Sequence, residues 1–181
     1  MMKTIKLVCL IAAFCSNVQI IWAQSKLVTY AAPDGAELKK DFLVSVRQPG
    51  GVWKPLDTYA VKVDEVRDTR HHVEKASLAY FDFEGEVEVS VKYRLGRIDD
   101  ACVRPLSYGI QPLIKDSLLT FMLSSPCNLS VEINGDIFHN LHLFANPIDK
   151  NNPLYTKSLR QIKRDRNLIY FAPGLHQLPN D

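Results

Sequence analysis

The sequence predicts an all-β fold, an antiparallel β-sandwich, on three observations. In residues 86–93, EVEVSVKY, Val87, Val89, Val91 and Tyr93 alternate with Glu86, Glu88, Ser90 and Lys92. That is the period of two expected of a half-buried strand. Residues 128–135, NLSVEING, repeat the device with Leu129, Val131 and Ile133 on one face, then close on Asn134-Gly135, a tight hairpin signal. Finally, short apolar segments separated by turn residues recur along the chain where long helical periods do not.

Taken in order, the first segment stands apart. Lys3 and Lys6 precede an apolar run over 7–14 and a second over 18–22, with Ala23 before Gln24-Ser25, the order of a secretory signal peptide cut after Ala23. An uncleaved anchor is the alternative. The region from Leu7 to Ala23 is shorter than the ~20 apolar residues a spanning helix needs, and Ser16-Asn17 and Gln19 interrupt it. The expected location is secreted or periplasmic.

Cleavage would change the charge and the cysteine count. The chain has 22 Lys and Arg against 20 Asp and Glu; without Lys3 and Lys6 the two signs balance, and no basic excess remains to attract nucleic acid or a membrane surface. Cys9 and Cys15 leave too, so only Cys102 and Cys127 remain. An oxidising compartment permits a disulfide between them, with two buried reduced thiols as the alternative; strand register decides whether the sulfurs can meet.

Besides 86–93 and 128–135, strands are expected over 42–47, 58–63, 76–83, 102–106, 118–123, 141–145 and 168–172. Residues 154–167 form one plausible short helix. Its basic residues, Lys157, Arg160, Lys163, Arg164 and Arg166, lack a glycine-rich phosphate loop beside them, so the segment reads as a solvated connector.

Chemistry-bearing residues are present without a catalytic pattern. In an extended segment His139-x-x-His142 would aim its imidazoles at opposite faces, and His71-His72 would do the same, so neither is a good chelate. No metal and no cofactor is implied. Sugar cleavage needs two carboxylates flanking one bond. Asp99-Asp100, Asp64-Glu65 and the Asp82, Glu84, Glu86 series supply carboxylates, yet none has the apolar setting that raises a pKa. Gly-x-Ser-x-Gly does not occur. Trp53, Tyr59, Tyr80 and Tyr108 could offer rings for sugar stacking, with packing as the alternative use.

Val103-Arg104-Pro105-Leu106-Ser107, the 129–135 strand and turn, residues 141–147, and Ile169-Tyr170-Phe171 leading to Pro173-Gly174-x-His176 carry a resemblance. They resemble the N-terminal region of secreted bacterial proteins related to glycoside hydrolase family 28, the polygalacturonases, and to dextranase-type β-helix hydrolases. The resemblance implies a β-sandwich cap ahead of a right-handed parallel β-helix.

On this reading 1–23 is the signal peptide, 24–147 the β-sandwich accessory domain, 148–166 a linker, and 167–181 the first strand of a truncated β-helix domain. A β-helix catalytic domain is the expected partner downstream, and a polysaccharide the expected ligand through that parent enzyme. The Asn-Thr-Asp, Gly-His-Gly and Arg-Ile-Lys motifs of the polygalacturonase site are missing, so no catalytic residue carries over. The expected role is a non-catalytic accessory domain; the alternative is a stand-alone carbohydrate-binding or cell-surface interaction module.

Overall fold

The computed structural model describes residues 26–151, 153 and 157–171. The signal peptide expected over 1–23 and the segment 172–181 lie outside the described residues. Within them the chain is nearly all β and forms two sheets.

The first sheet is built on one long strand, β5 (Arg70–Glu84). Its first half pairs antiparallel with β4 (Tyr59–Arg67) and its last residues pair with β1 (Lys26–Thr29). Its other edge pairs with β11 (Asp136–Pro147), followed by β10 (Cys127–Ile133) and β7 (Ala101–Arg104). The β5–β11 pairing is parallel, Leu141 opposite Ser77 through Pro147 opposite Phe83, which departs from a wholly antiparallel expectation. A parallel pair has no local turn to announce it.

The second sheet is antiparallel throughout, in the order β3 (Lys54–Leu56), β2 (Phe42–Arg47), β6 (Val87–Tyr93), β9 (Leu118–Leu123) and β8 (Leu113–Lys115). Alternate residues of the central strands of both sheets enter one core. Val44, Val46, Val87, Val89, Val91, Leu119 and Phe121 come from the second sheet, and Phe81, Phe83, Val131, Leu141 and Leu143 from the first. Burying such side chains is worth roughly 1.5–3 kcal/mol each before the entropy of ordering them is subtracted. The same alternation leaves residues 43, 45 and 47 of β2 and 88, 90 and 92 of β6 on the outer face.

The two hairpins of the first sheet turn on left-handed residues. Asn134 and Gly135 have φ of 54° and 78°, as the Asn-Gly signal predicts, while the β4–β5 turn uses Asp68 and Thr69 at 48° and 65°. The Asn134 side chain also secures the approach to β7: its Oδ1 accepts from the Asp99 and Asp100 backbone N–H groups and its Nδ2 donates to the Arg97 carbonyl.

At the C-terminal side the short helix expected within 154–167 is formed over Leu159–Arg164, and one other expectation changes. The connector contains a helix, α1 (Leu159–Arg164), opened by a capping box in which Ser158 and Gln161 satisfy each other's backbone N–H, and Ile162 is buried. The strand expected over 168–172 is not formed in its described part, 168–171. Apolar alternation is only half of a strand; the other half is a neighbour to bond with.

Cys102 and Cys127 are free thiols. Register gives the reason: Cys102 lies opposite Glu132 on β10, whereas Cys127 begins the same strand five residues earlier. Five residues at about 3.3 Å each separate them by roughly 16 Å, well beyond disulfide reach. The bridge between Cys102 and Cys127 is therefore not made in this fold.

Candidate functional site

A groove of about 710 Å³ lies on the outer side of the second sheet and around its β8 end. Its floor is a cross-strand row in which Arg47 on β2 faces Glu88 on β6, and Glu88 faces Met122 on β9. Trp53, just before β3, lines it. So do Tyr108, Gly109, Ile110 and Gln111, from the segment that crosses from β7 to β8.

The local chain explains each placement. Arg47 and Glu88 face outward because their neighbours Val46, Val87 and Val89 take the core positions. Arg47 Nε donates to Glu88 Oε2 at 2.6 Å, and the guanidinium carbon sits 4.4 Å from the centroid of the Trp53 ring, a cation–π contact. Tyr108 ends a single 3-10 turn, Leu106–Tyr108, closed by Gly109 at φ 64°, a left-handed position that favours glycine. Trp53 stays 37% exposed and Tyr108 51%. Burial pushes the Cys127 thiol up, so this lining residue stays neutral.

Of the four aromatic candidates, the groove therefore gathers Trp53 and Tyr108. Tyr59 and Tyr80 belong to β4 and β5 of the first sheet, and burial pushes both phenols up. Sequence reasoning missed Arg47 and Glu88. Their pairing joins residues 41 apart in the chain, and only the outward half of each strand pattern hinted at it.

The carboxylate candidates are dispersed. Asp64 meets His71, Glu65 meets Arg67, Asp82 accepts from Tyr30 Oη at 2.5 Å, Glu84 pairs with Lys150, and Asp99 with Arg97. The hydrogen bond from Arg67 holds Glu65 below the usual carboxylate range. Asp100 is met only through its backbone, and none of these residues lines the groove.

The histidines are separated too. His139 accepts or donates between Asp136, at 2.9 Å, and Glu74, at 3.1 Å, while His142 lies on the outer face of the first sheet opposite Ser130 and Leu78. Burial lowers the His142 pKa and leaves that imidazole neutral at pH 7. His72 faces Glu65 across the hairpin. Among the described residues no group of three or more His, Cys, Asp and Glu could hold a metal ion, and no helix is long and apolar enough to cross a membrane.

A second, shallower depression of about 550 Å³ lies on the first sheet beside Arg104, Asn128, Ser130, His142 and Phe144. Two of its polar residues are engaged within the protein: Arg104 Nε donates to Glu132 at 2.8 Å, and Ser130 Oγ accepts from Asn140 Nδ2 at 3.0 Å.

No family model matches the chain, and no curated protein matches it. Among solved structures it is similar to Dex49A, a dextranase, from Penicillium minioluteum, at 14% identity and a TM-score of 0.48. The match covers 67% of this chain and 31% of that one, so this chain spans about a third of its length. A likeness at that level carries no argument about the site.

Proposed function

We propose that this chain is an exported, non-catalytic β-sandwich accessory module of a polysaccharide hydrolase, of the kind its second half resembles, and that it contacts carbohydrate through the groove on the second sheet. In this reading 24–147 is the module, 148–166 a linker, and 167–181 the start of a parallel β-helix domain. The observation that carries the carbohydrate contact is the pair of exposed rings, Trp53 and Tyr108, lining one groove with the Arg47–Glu88 pair on its floor. Sugars present apolar C–H faces and hydroxyl edges; a ring platform beside a few fixed polar groups suits both.

The groove supports binding better than hydrolysis. Glu88 is the one carboxylate among its lining residues, and acid–base cleavage of a glycoside requires two. In electrophoresis through polysaccharide-containing gels the exported chain is expected to be retarded, without release of reducing sugar. Reducing-sugar release abolished by Asp99→Ala or Asp100→Ala would overturn the non-catalytic assignment. N-terminal sequencing of the exported product is expected to begin at or near Gln24.

The exposed Trp53 and Tyr108 rings in the groove suit equally a second reading, a stand-alone carbohydrate-binding or cell-surface module. The reading frame after codon 181 separates the two, since an in-frame β-helix identifies the accessory module.

A further inference from the structure

We infer that the groove takes an extended, electrically neutral polysaccharide chain, lying across the strands from Trp53 toward Tyr108, and that it discriminates against acidic glycans. The inference rests on the reading of this groove as a carbohydrate contact and adds the class of sugar.

Length comes from the register. Arg47, Glu88 and Met122 occupy β2, β6 and β9, and Leu113 on β8 lies opposite Thr120 one row away. Three interstrand spacings of about 4.8 Å give a floor roughly 14 Å across. That is longer than one sugar ring, so a chain occupies it better than a monosaccharide.

Neutrality comes from the charges. Arg47 and Glu88 are the two charged residues among those lining the groove, and each compensates the other. An arriving uronate would find its natural cation already bonded to a carboxylate and lying against Trp53. It would also meet Glu88 itself, so its desolvation would go uncompensated. Hydroxyl groups face no such conflict. The remaining guanidinium N–H groups can donate to them, and Glu88 Oε1, which no described group engages, can accept from them. Thr120 and Gln111 add uncharged polar groups along the same path.

The test is affinity electrophoresis of the full exported chain in gels containing dextran, soluble starch, galactomannan or polygalacturonate. Retardation by at least one neutral polymer and none by polygalacturonate is expected. Trp53→Ala should weaken retention about tenfold, the effect of truncating a central aromatic anchor, while Trp53→Phe keeps most of it. Glu88→Gln, which frees Arg47 from its counter-charge, should introduce retention by polygalacturonate.

Retention of the wild-type chain by polygalacturonate, removed by Trp53→Ala, would overturn the neutral preference and leave the groove a carbohydrate site. Absence of retention by all four polymers, or retention that Trp53→Ala leaves intact, would overturn the groove reading itself. Unchanged circular dichroism of the variants separates lost contact from lost folding.

Discussion

Arg104–Glu132 on the first sheet and Arg47–Glu88 on the second are both cross-strand pairs on an outer face, and they have different surroundings. On the first sheet Arg104 holds Glu132, whose side chain is only 11% exposed, beside polar groups that bond one another. On the second sheet Arg47 holds Glu88, 26% exposed, against a tryptophan and in front of a groove. Both pairs thus border an open depression, but in one the carboxylate is the more enclosed partner and in the other the guanidinium is held against a tryptophan. Surroundings, rather than residue type, separate a structural pair from a ligand-facing one.

If the first sheet carries stability and the second carries contact, substitutions should divide accordingly. The largest effect is expected in the core of β11, where Leu143 is fully buried. Leu143→Ala should cost about 2–5 kcal/mol from lost transfer energy and the cavity left behind. Leu113→Ala on β8, at a side chain 76% exposed, should stay within about 0.5 kcal/mol while altering glycan retention. Denaturant melts beside gel retention check both; equal stability losses would break the division.

The ion pairs give the next effect. Glu132→Ala removes an enclosed side chain, 11% exposed, with its hydrogen bond, while Arg104, 49% exposed, can return to water; it should destabilise more than Glu88→Ala. Glu88→Ala, at a carboxylate 26% exposed, should cost under about 1 kcal/mol and change ligand preference instead. A Glu88 variant as unstable as the Glu132 variant would mean that the groove floor is structural.

How much of this was legible in the sequence follows from where each strand buries its faces. β6 coincides with the alternation in 87–93, and β2 and β9 coincide with 42–47 and 118–123, because one face of each lies fully in the core. β5 was legible only from residue 76. Its first six residues, Arg70 to Lys75, form a ribbon with β4 outside the core, and both faces of that ribbon are polar or exposed. The edge strands β3 and β8 are three residues long, too short for a period to register, and β3 contains Pro55. The site was half legible: Trp53 and Tyr108 stand out as aromatic residues near turns, while the Arg47–Glu88 floor exists only once β2 and β6 are in register.

Proton linkage offers a sharper separation of the two sheets. The His139 pKa is raised, chiefly by the hydrogen bond to the Asp136 carboxylate, with partial desolvation opposing and Glu74 adding to the rise. Partial burial alone would raise Asp136, but hydrogen bonds from the His139 backbone and ring and from the Phe138 backbone hold it below the usual range. The folded state therefore favours protonated His139 and ionised Asp136. The histidine contribution is full below its ordinary value of about 6.5 and is lost as pH rises through the raised value. The Asp136 contribution is present above the ordinary carboxylate value of about 4 and is lost as pH falls through the depressed one. Thermal melts should therefore show stability falling as pH rises above about 6.5 and through the raised His139 value, with His139→Gln flattening that limb. Groove binding should not follow it, since neither His139, Asp136 nor Glu74 lines the groove.

A small effect of opposite sign is expected at the turn between β4 and β5. Both hairpins of the first sheet need two left-handed residues, and the chain answers that need unequally. The β10–β11 turn uses Asn134-Gly135, where asparagine tolerates the conformation and glycine adopts it freely, while the β4–β5 turn places Thr69 at φ 65°. A β-branched side chain is strained there, because its Cβ crowds the following carbonyl oxygen. Thr69→Gly removes that strain but adds freedom to the unfolded chain, and the two effects partly cancel. The Thr69 hydroxyl bonds only to the adjacent Asp68 carbonyl, so little else is lost. A net gain of about 0.5–1 kcal/mol in denaturant melts is expected, with gel retention unchanged because the turn is not among the groove's lining residues. Gly135→Thr, the reverse exchange in the other hairpin, should destabilise by at least as much, since it imposes the same strain. A Thr69→Gly variant less stable than the parent would show that this turn owes its shape to the threonine, and that the two hairpins are not governed by the same backbone rule.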